Sequence, residues 1–206
     1  MSDTDKMNLM RKYFERIQPL PDDAWQVLLE HMREKKYSKS DVISSAGSTP
    51  DKIGILHEGV IRAYISNEDG AEYTKTIFTP LHFTTPVSFV GAYSSLVTGA
   101  PSMLTLEALT DATTYEMNYS QINGSFDQYP ALERWARKLA EFLFVSKEIR
   151  EFQYFTMDAS QRYGIFLQQF PELEGLVAQY IIAQYLGITP TQLSRIRKKM
   201  KAHQHM

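Results

Sequence analysis

The chain has 206 residues, 43% of them apolar, a formal charge of −2 and no cysteine. That length admits one or two domains with a substantial core, and the lack of cysteine excludes disulfides, thiol redox sensing and a cysteine-ligated iron–sulfur cluster. No apolar run is long enough to span a bilayer and the first residues, Met1 to Lys6, lack a signal-peptide pattern, so a cytoplasmic protein is expected.

Residues 7–18 and 22–34 read as short helices. The second opens at Pro21, Asp22 and Asp23 and sets Trp25, Leu28, Leu29 and Met32 on one side. From Tyr37 to Met117 the pattern changes to short strands separated by turn residues. Residues 53–59, 60–65 and 73–78 are strand-like, and Asp69-Gly70 is a hairpin turn. Several short strands at this spacing predict an antiparallel sandwich or barrel.

Pro130 to Phe155 is predicted as one long helix, free of internal Pro or Gly. Leu132, Trp135, Leu139, Phe142, Ser146, Ile149 and Gln153 form a 3-4 stripe, and Phe144, Phe152, Tyr154 and Phe155 widen it. A helix apolar on more than one side needs two neighbours. One is the β region; the other is expected to be the same helix of a second subunit, in a coiled-coil-like seam, the alternative being a helix buried within a monomer. Asp158-Ala-Ser-Gln161 then reads as a capping box at a hinge, followed by a helix from Ser160 to Gln169.

The C-terminal end differs in charge from the rest. Gly175–Met206 holds five Lys or Arg and no Asp or Glu, whereas residues 1–174 hold 17 basic against 24 acidic residues. Such polarity suggests a sensing or dimerising body with a nucleic-acid-binding end. Ile182, Leu186, Ile188, Leu193 and Ile196 can share one small core, with Gly187 where the chain leaves a first helix. Thr189 is placed as an N-cap, Pro190 at the first helical position and Gln192 as the partner in a Thr-x-x-Gln box. The pattern is that of a helix-turn-helix, whose second helix enters the major groove. On its outer face, Gln192 suits an adenine edge and Arg195 the O6 and N7 of guanine. Thr191 and Ser194 suit a base or a phosphate. Arg197, Lys198, Lys199 and Lys201 are read as phosphate contacts.

Leu186–Pro190 and Leu193–Lys199 resemble the DNA-binding end of the Crp/Fnr family of bacterial transcription regulators. The resemblance extends upstream through Leu56–Tyr64, Asn67–Gly70 and Ala108–Met117, and it runs unbroken from Pro130 to Arg162. It implies an α+β chain: an N-terminal antiparallel β-roll (a double-stranded β-helix) with flanking helices over 1–129, a dimerisation helix and hinge over 130–157, and a helical helix-turn-helix domain over 158–206. The implied partners are a second copy of the chain and double-stranded DNA with a near-palindromic operator, its half-sites about 34 Å apart. Longer family members carry a β-hairpin wing after the recognition helix, which the few residues following it here do not supply.

The resemblance also implies an effector pocket around Phe89, Gly91, Tyr93, Ser94, Ser102 and Met103. Relatives that bind cyclic nucleotides use a Gly-Glu pair and a later Arg; the corresponding positions here are Gly91-Ala92 and Ser102. A charge-assisted Arg–phosphate contact contributes about 1.5–3 kcal/mol, so its loss costs about one to two decades of affinity. Lys147 and Glu148 stand where relatives touch the nucleotide base from the long helix. Cyclic AMP and cyclic GMP are therefore not the expected effectors. Either another small molecule occupies the pocket, or Phe89, Tyr93, Leu96 and Met103 fill it.

Two other classes compete. A cupin-like metal enzyme needs converging His and carboxylate ligands. His31, His57, His82, His203 and His205 offer a His-x-His pair only at the C-terminal end, so no metal, cofactor or catalytic residue is expected. A protein-interaction module would use the helix-turn-helix without DNA.

Overall fold

The computed structural model describes residues 3–80 and 88–204; His82 and His205 lie outside the described residues. Helices α1 (Asp3–Glu15) and α2 (Asp22–His31) lead into the β region. Both differ from the sequence expectation, α1 by starting and ending earlier and α2 by stopping short of residue 34. Met32 closes α2 in extended backbone, φ −70° and ψ 134°, and Arg33–Tyr37 form strand β1. This strand runs Arg-Glu-Lys-Lys-Tyr, with no apolar residue before Tyr37 to mark where helix gives way to strand.

The remaining strands are β2 (Val42–Ser44), β3 (Lys52–Glu58), β4 (Ile61–Ser66), β5 (Glu72–Phe78), β6 (Phe89–Val90), β7 (Thr105–Ala108) and β8 (Ala112–Asn118). They form two four-stranded antiparallel sheets, ordered β1-β8-β3-β6 and β2-β7-β4-β5. The chain passes from the first sheet to the second at Gly59, whose φ is +87°. A Cβ there would lie 2.2 Å from the Asp111 carbonyl oxygen, so close approach and left-handed backbone both demand glycine.

Strand alternation then divides the apolar residues. Leu56, Ile61, Ala63, Val90, Leu106 and Ala108 fill the space between the sheets. Ile53, Ile55, Tyr115 and Met117 face outward and are covered by α1, α2 and the first half of α5 (Pro130–Thr156). Trp135 of α5 locks this cover: its ring stacks on Phe14 at 4.6 Å and its Nε1 donates to the Phe14 carbonyl at 2.8 Å. Two short helices, α3 (Tyr93–Thr98) and α4 (Tyr119–Gly124), connect strands and lead into α5.

Beyond α5 come α6 (Ala159–Gln169), α7 (Leu173–Leu176), α8 (Gln179–Leu186) and α9 (Pro190–Gln204). The hinge cap forms as the residues foretell. Asp158 Oδ1 accepts from the Gln161 N–H, and Gln161 Oε1 accepts from the Asp158 N–H, both at 2.9 Å. Tyr163, Phe166, Leu173, Ile181, Ile182 and Leu193 make a third core, which also takes in Val60 and Ile77 of the roll. The C-terminal helices are thus seated directly on the β4–β5 side of the barrel. The architecture is the expected α+β arrangement of roll, long helix and C-terminal helices.

Candidate functional site

Helix α8 ends at Gly187, in left-handed conformation with φ 67°. Tyr154 of α5 lies beneath it: a Cβ on Gly187 would meet the Tyr154 ring at 3.0 Å. Two residues later Thr189 starts α9. Its Oγ1 accepts from the Gln192 N–H at 3.2 Å, and Gln192 Oε1 accepts from the Thr189 N–H at 2.9 Å. Leu193 is fully buried and Ile196 and Met200 half-buried, which fixes the rotation of α9 on α8. Thr191, Ser194, Arg195, Lys198 and Lys199 consequently lie on the exposed face. Arg195 is exposed and forms no ion pair among the described residues.

Two of the expected DNA-contacting residues carry other duties. Gln192 Oε1 is held by the Thr189 cap, so the bidentate amide pairing with adenine competes with helix capping. Arg197 is half-buried, with Nε 3.2 Å from Glu174 Oε1. The Tyr163 hydroxyl donates to the same carboxylate oxygen, and burial followed by Glu174 pushes the phenol pKa up. Glu174 therefore ties α6 and α9 to α7. It sits one residue before the acid-free stretch, where a count beginning at Gly175 misses it.

Among the described residues, those proposed around an effector differ widely in exposure. Ala92, at the position of the lost carboxylate, is fully buried. Ser102 is also buried, and its hydroxyl exchanges hydrogen bonds with the backbone of Leu104, donating to the carbonyl and accepting from the N–H at 3.0 Å each. Met103 is 77% exposed and Ser94 lies on the surface. Phe89 faces the helical cover, 5.3 Å from Trp135, and Tyr93 lies edge-on to Tyr119 at 6.3 Å. Lys147 and Glu148 are exposed on α5. A recess of about 420 Å³ opens between the sheets; of the six residues only Gly91 borders it, together with the neighbouring Ala92. Its polar wall includes Tyr37, Ser44, Ser48, Thr114 and Glu116. There Tyr37 and Thr114 donate to Glu116 Oε1 at 2.5 and 3.1 Å, and burial, then Glu116, raises the Tyr37 pKa.

The second half of α5 presents an uncovered apolar face. Phe144, Phe152 and Phe155 are 61, 65 and 81% exposed, and Val145 and Ile149 about half exposed beside them. Spacings of three, four, seven, eight and eleven place these side chains on one side of the helix. His57 is packed edge-on against Tyr115, and among the described residues no group of His, Asp and Glu has metal-binding geometry. Among the same residues no helix is long and apolar enough to cross a membrane.

Residues 34–129 match the cyclic nucleotide-binding domain family. The β-roll falls within that match, and the chain as a whole shares its fold with solved Crp/Fnr regulators. FixK2 from Bradyrhizobium japonicum superposes with a TM-score of 0.69 at 18% identity, covering 84% of this chain and 85% of its own. A putative Crp/Fnr-family transcriptional regulator from Eubacterium rectale gives 0.68 at 16% identity, over 93% and 88%. The c-di-GMP-responsive regulator CLP from Xanthomonas campestris gives 0.62 at 15%, over 89% and 93%. No curated protein matches the chain significantly.

Proposed function

We infer that the chain is a cytoplasmic, sequence-specific DNA-binding transcription regulator of the Crp/Fnr type, acting as a homodimer without catalytic activity. The observation that carries this reading is α9. Its apolar side is sealed by Leu193, while Thr191, Ser194, Arg195 and Lys198 project from an acid-free helix. Arg195 reads a guanine and Lys198 a phosphate. Thr191 and Ser194 add base or backbone contacts. The exposed stripe on α5 joins two copies, so that paired recognition helices meet successive major grooves about 34 Å apart.

Cyclic AMP is not the effector. A buried alanine and a self-satisfied buried serine occupy the places where a nucleotide would need a carboxylate and a guanidinium. Calorimetric titration with cyclic AMP is expected to give no micromolar binding; such binding would overturn this part. CLP, which its describers call c-di-GMP-responsive, shares the fold. That precedent supports an effector chemistry other than a cyclic mononucleotide.

Operator selection from random duplexes, followed by titration at several salt concentrations, tests the whole reading. Affinity should fall steeply with ionic strength. Arg195→Ala should relax the choice of base at one position per half-site, and Lys198→Ala should weaken all sequences alike. Absence of salt-dependent duplex binding would leave a protein-interaction module as the better account.

A further inference from the structure

The recognition helix is oriented by a polar seat between its partner helix and the barrel. Arg62 of β4 is buried, 3% exposed. Its Nε and Nη2 serve Glu107 Oε2 at 2.8 and 2.6 Å, and its Nη1 serves Glu72 Oε2 at 2.8 Å. The same Nη1 reaches across to Gln184 Oε1 on α8 at 3.1 Å, and the fully buried Thr74 hydroxyl donates to that oxygen at 2.9 Å. One side-chain oxygen of the helix-turn-helix thus accepts from two strands of the roll.

The next residue repeats the arrangement with the long helix. The Tyr185 carbonyl accepts from Arg150 Nη2 at 3.1 Å and from the Tyr154 hydroxyl at 2.5 Å. The Arg150 guanidinium lies 3.9 Å from the centre of the Tyr185 ring, and Tyr73 of β5 donates to Tyr154 at 3.0 Å. Two consecutive residues of α8 are therefore read by β4, β5 and α5 together. A guanidinium whose donors are shared between two carboxylates and an amide tolerates little rotation, because each displaced bond leaves a charged group desolvated.

We propose that Gln184 is a positioning residue that couples the orientation of the helix-turn-helix to the β4–β5 strands. This deepens the regulator reading above and rests on it for its consequence in DNA binding. Anything that shifts Arg62 within the sheet, such as a ligand entering the roll, moves the acceptor on α8 and hence the recognition helix.

The cysteine-free chain allows a direct test in the full-length protein. A single cysteine in place of Ile77, which is buried where roll and helices meet, reacts with a thiol reagent only when the seat opens. A cysteine in place of Leu106, inside the roll, reports loosening of the barrel itself. Gln184→Ala removes the shared acceptor and leaves the Arg62 pairs with Glu72 and Glu107 in place. It should speed labelling at 77 about 10- to 100-fold, the factor expected for a charge-assisted hydrogen bond, without speeding it at 106. Thr74→Val, which removes one donor of similar shape, should give a smaller rise in the same direction. Unchanged labelling at 77, or an equal rise at both positions, would overturn the proposal. This readout needs no DNA, so it stands apart from failure of the regulator reading. With operator bound, Gln184→Ala should change affinity: a gain marks the seated form as resting, a loss marks it as DNA-ready, and no change refutes the coupling.

Discussion

On the proposed pairing of two copies through α5, removing one ring from its exposed face should dissociate the dimer. A phenylalanine side chain presents about 200 Å². Phe152, 65% exposed, therefore leaves about 130 Å² in water in a lone subunit. At about 25 cal/mol per Å² its burial is worth about 3 kcal/mol, and two-fold symmetry counts it twice. Phe152→Ala should accordingly cost about 6 kcal/mol and raise the dimer dissociation constant by more than about four decades. Phe155, at 81%, should behave alike, whereas Leu139, already buried against the roll, should act on folding instead. Sedimentation equilibrium over a wide concentration range measures the constant. An unchanged value for Phe152→Ala, or a parent chain that sediments as a monomer throughout, would refute the assignment of this face.

Other consequences follow from single contacts. Thr189→Ala should cost about 1 kcal/mol through loss of the α9 cap, seen as faster amide exchange in the first turn of that helix. Arg197→Ala should lower thermal stability through loss of the Glu174 tie while changing the salt dependence of DNA binding less than Lys198→Ala does. Gly59→Ala should destabilise by more than about 3 kcal/mol, since an added Cβ meets backbone at 2.2 Å and the residue keeps a positive φ; chemical denaturation gives the value. Burial, then the hydrogen bond to Tyr154, raises the Tyr73 pKa to about 12 from the ordinary 10.0, so the folded state holds this proton more tightly than the unfolded state. Its contribution is full below pH 10 and lost as pH rises toward 12, and Tyr73→Phe should flatten that part of an alkaline denaturation profile.

Local signals carried most of the architecture. The Gly187 turn, the Thr189 and Asp158 boxes and the Asp69-Gly70 hairpin depend on neighbours within a few residues, and each forms as the residues dictate. Strand β1 did not declare itself, because an edge strand of alternating charge has no apolar period. The polar seat under α8 was equally hidden. Arg62 and Gln184 are 122 positions apart, and neither has a partner that spacing reveals. A buried arginine in a strand flanked by Ile61 and Ala63 was the one available hint, since such a charge needs carboxylates from elsewhere in the fold. The effector region was hard to read for a related reason. Which of Phe89, Tyr93 and Ser102 faces inward depends on strand register and on the helical cover, not on composition.

The engagement of Arg197 with Glu174 changes how the interface must work. Charge counted along α9 overstates what reaches the phosphates, since one of its arginines is spent on holding α7 in place. Gln192 is held by the cap, so under the proposed function Arg195 would be the principal reader, with guanine the favoured base at its position. One subunit then offers a short list of contacts, too few to hold a duplex tightly at physiological salt. Under the proposed function, pairing through α5 would supply the second set. The same rod that carries the apolar stripe also carries Arg150 and Tyr154, which grip α8 beside the recognition helix. In the proposed dimer, pairing and helix orientation would therefore share one element, and the separation of the two recognition helices would respond to both.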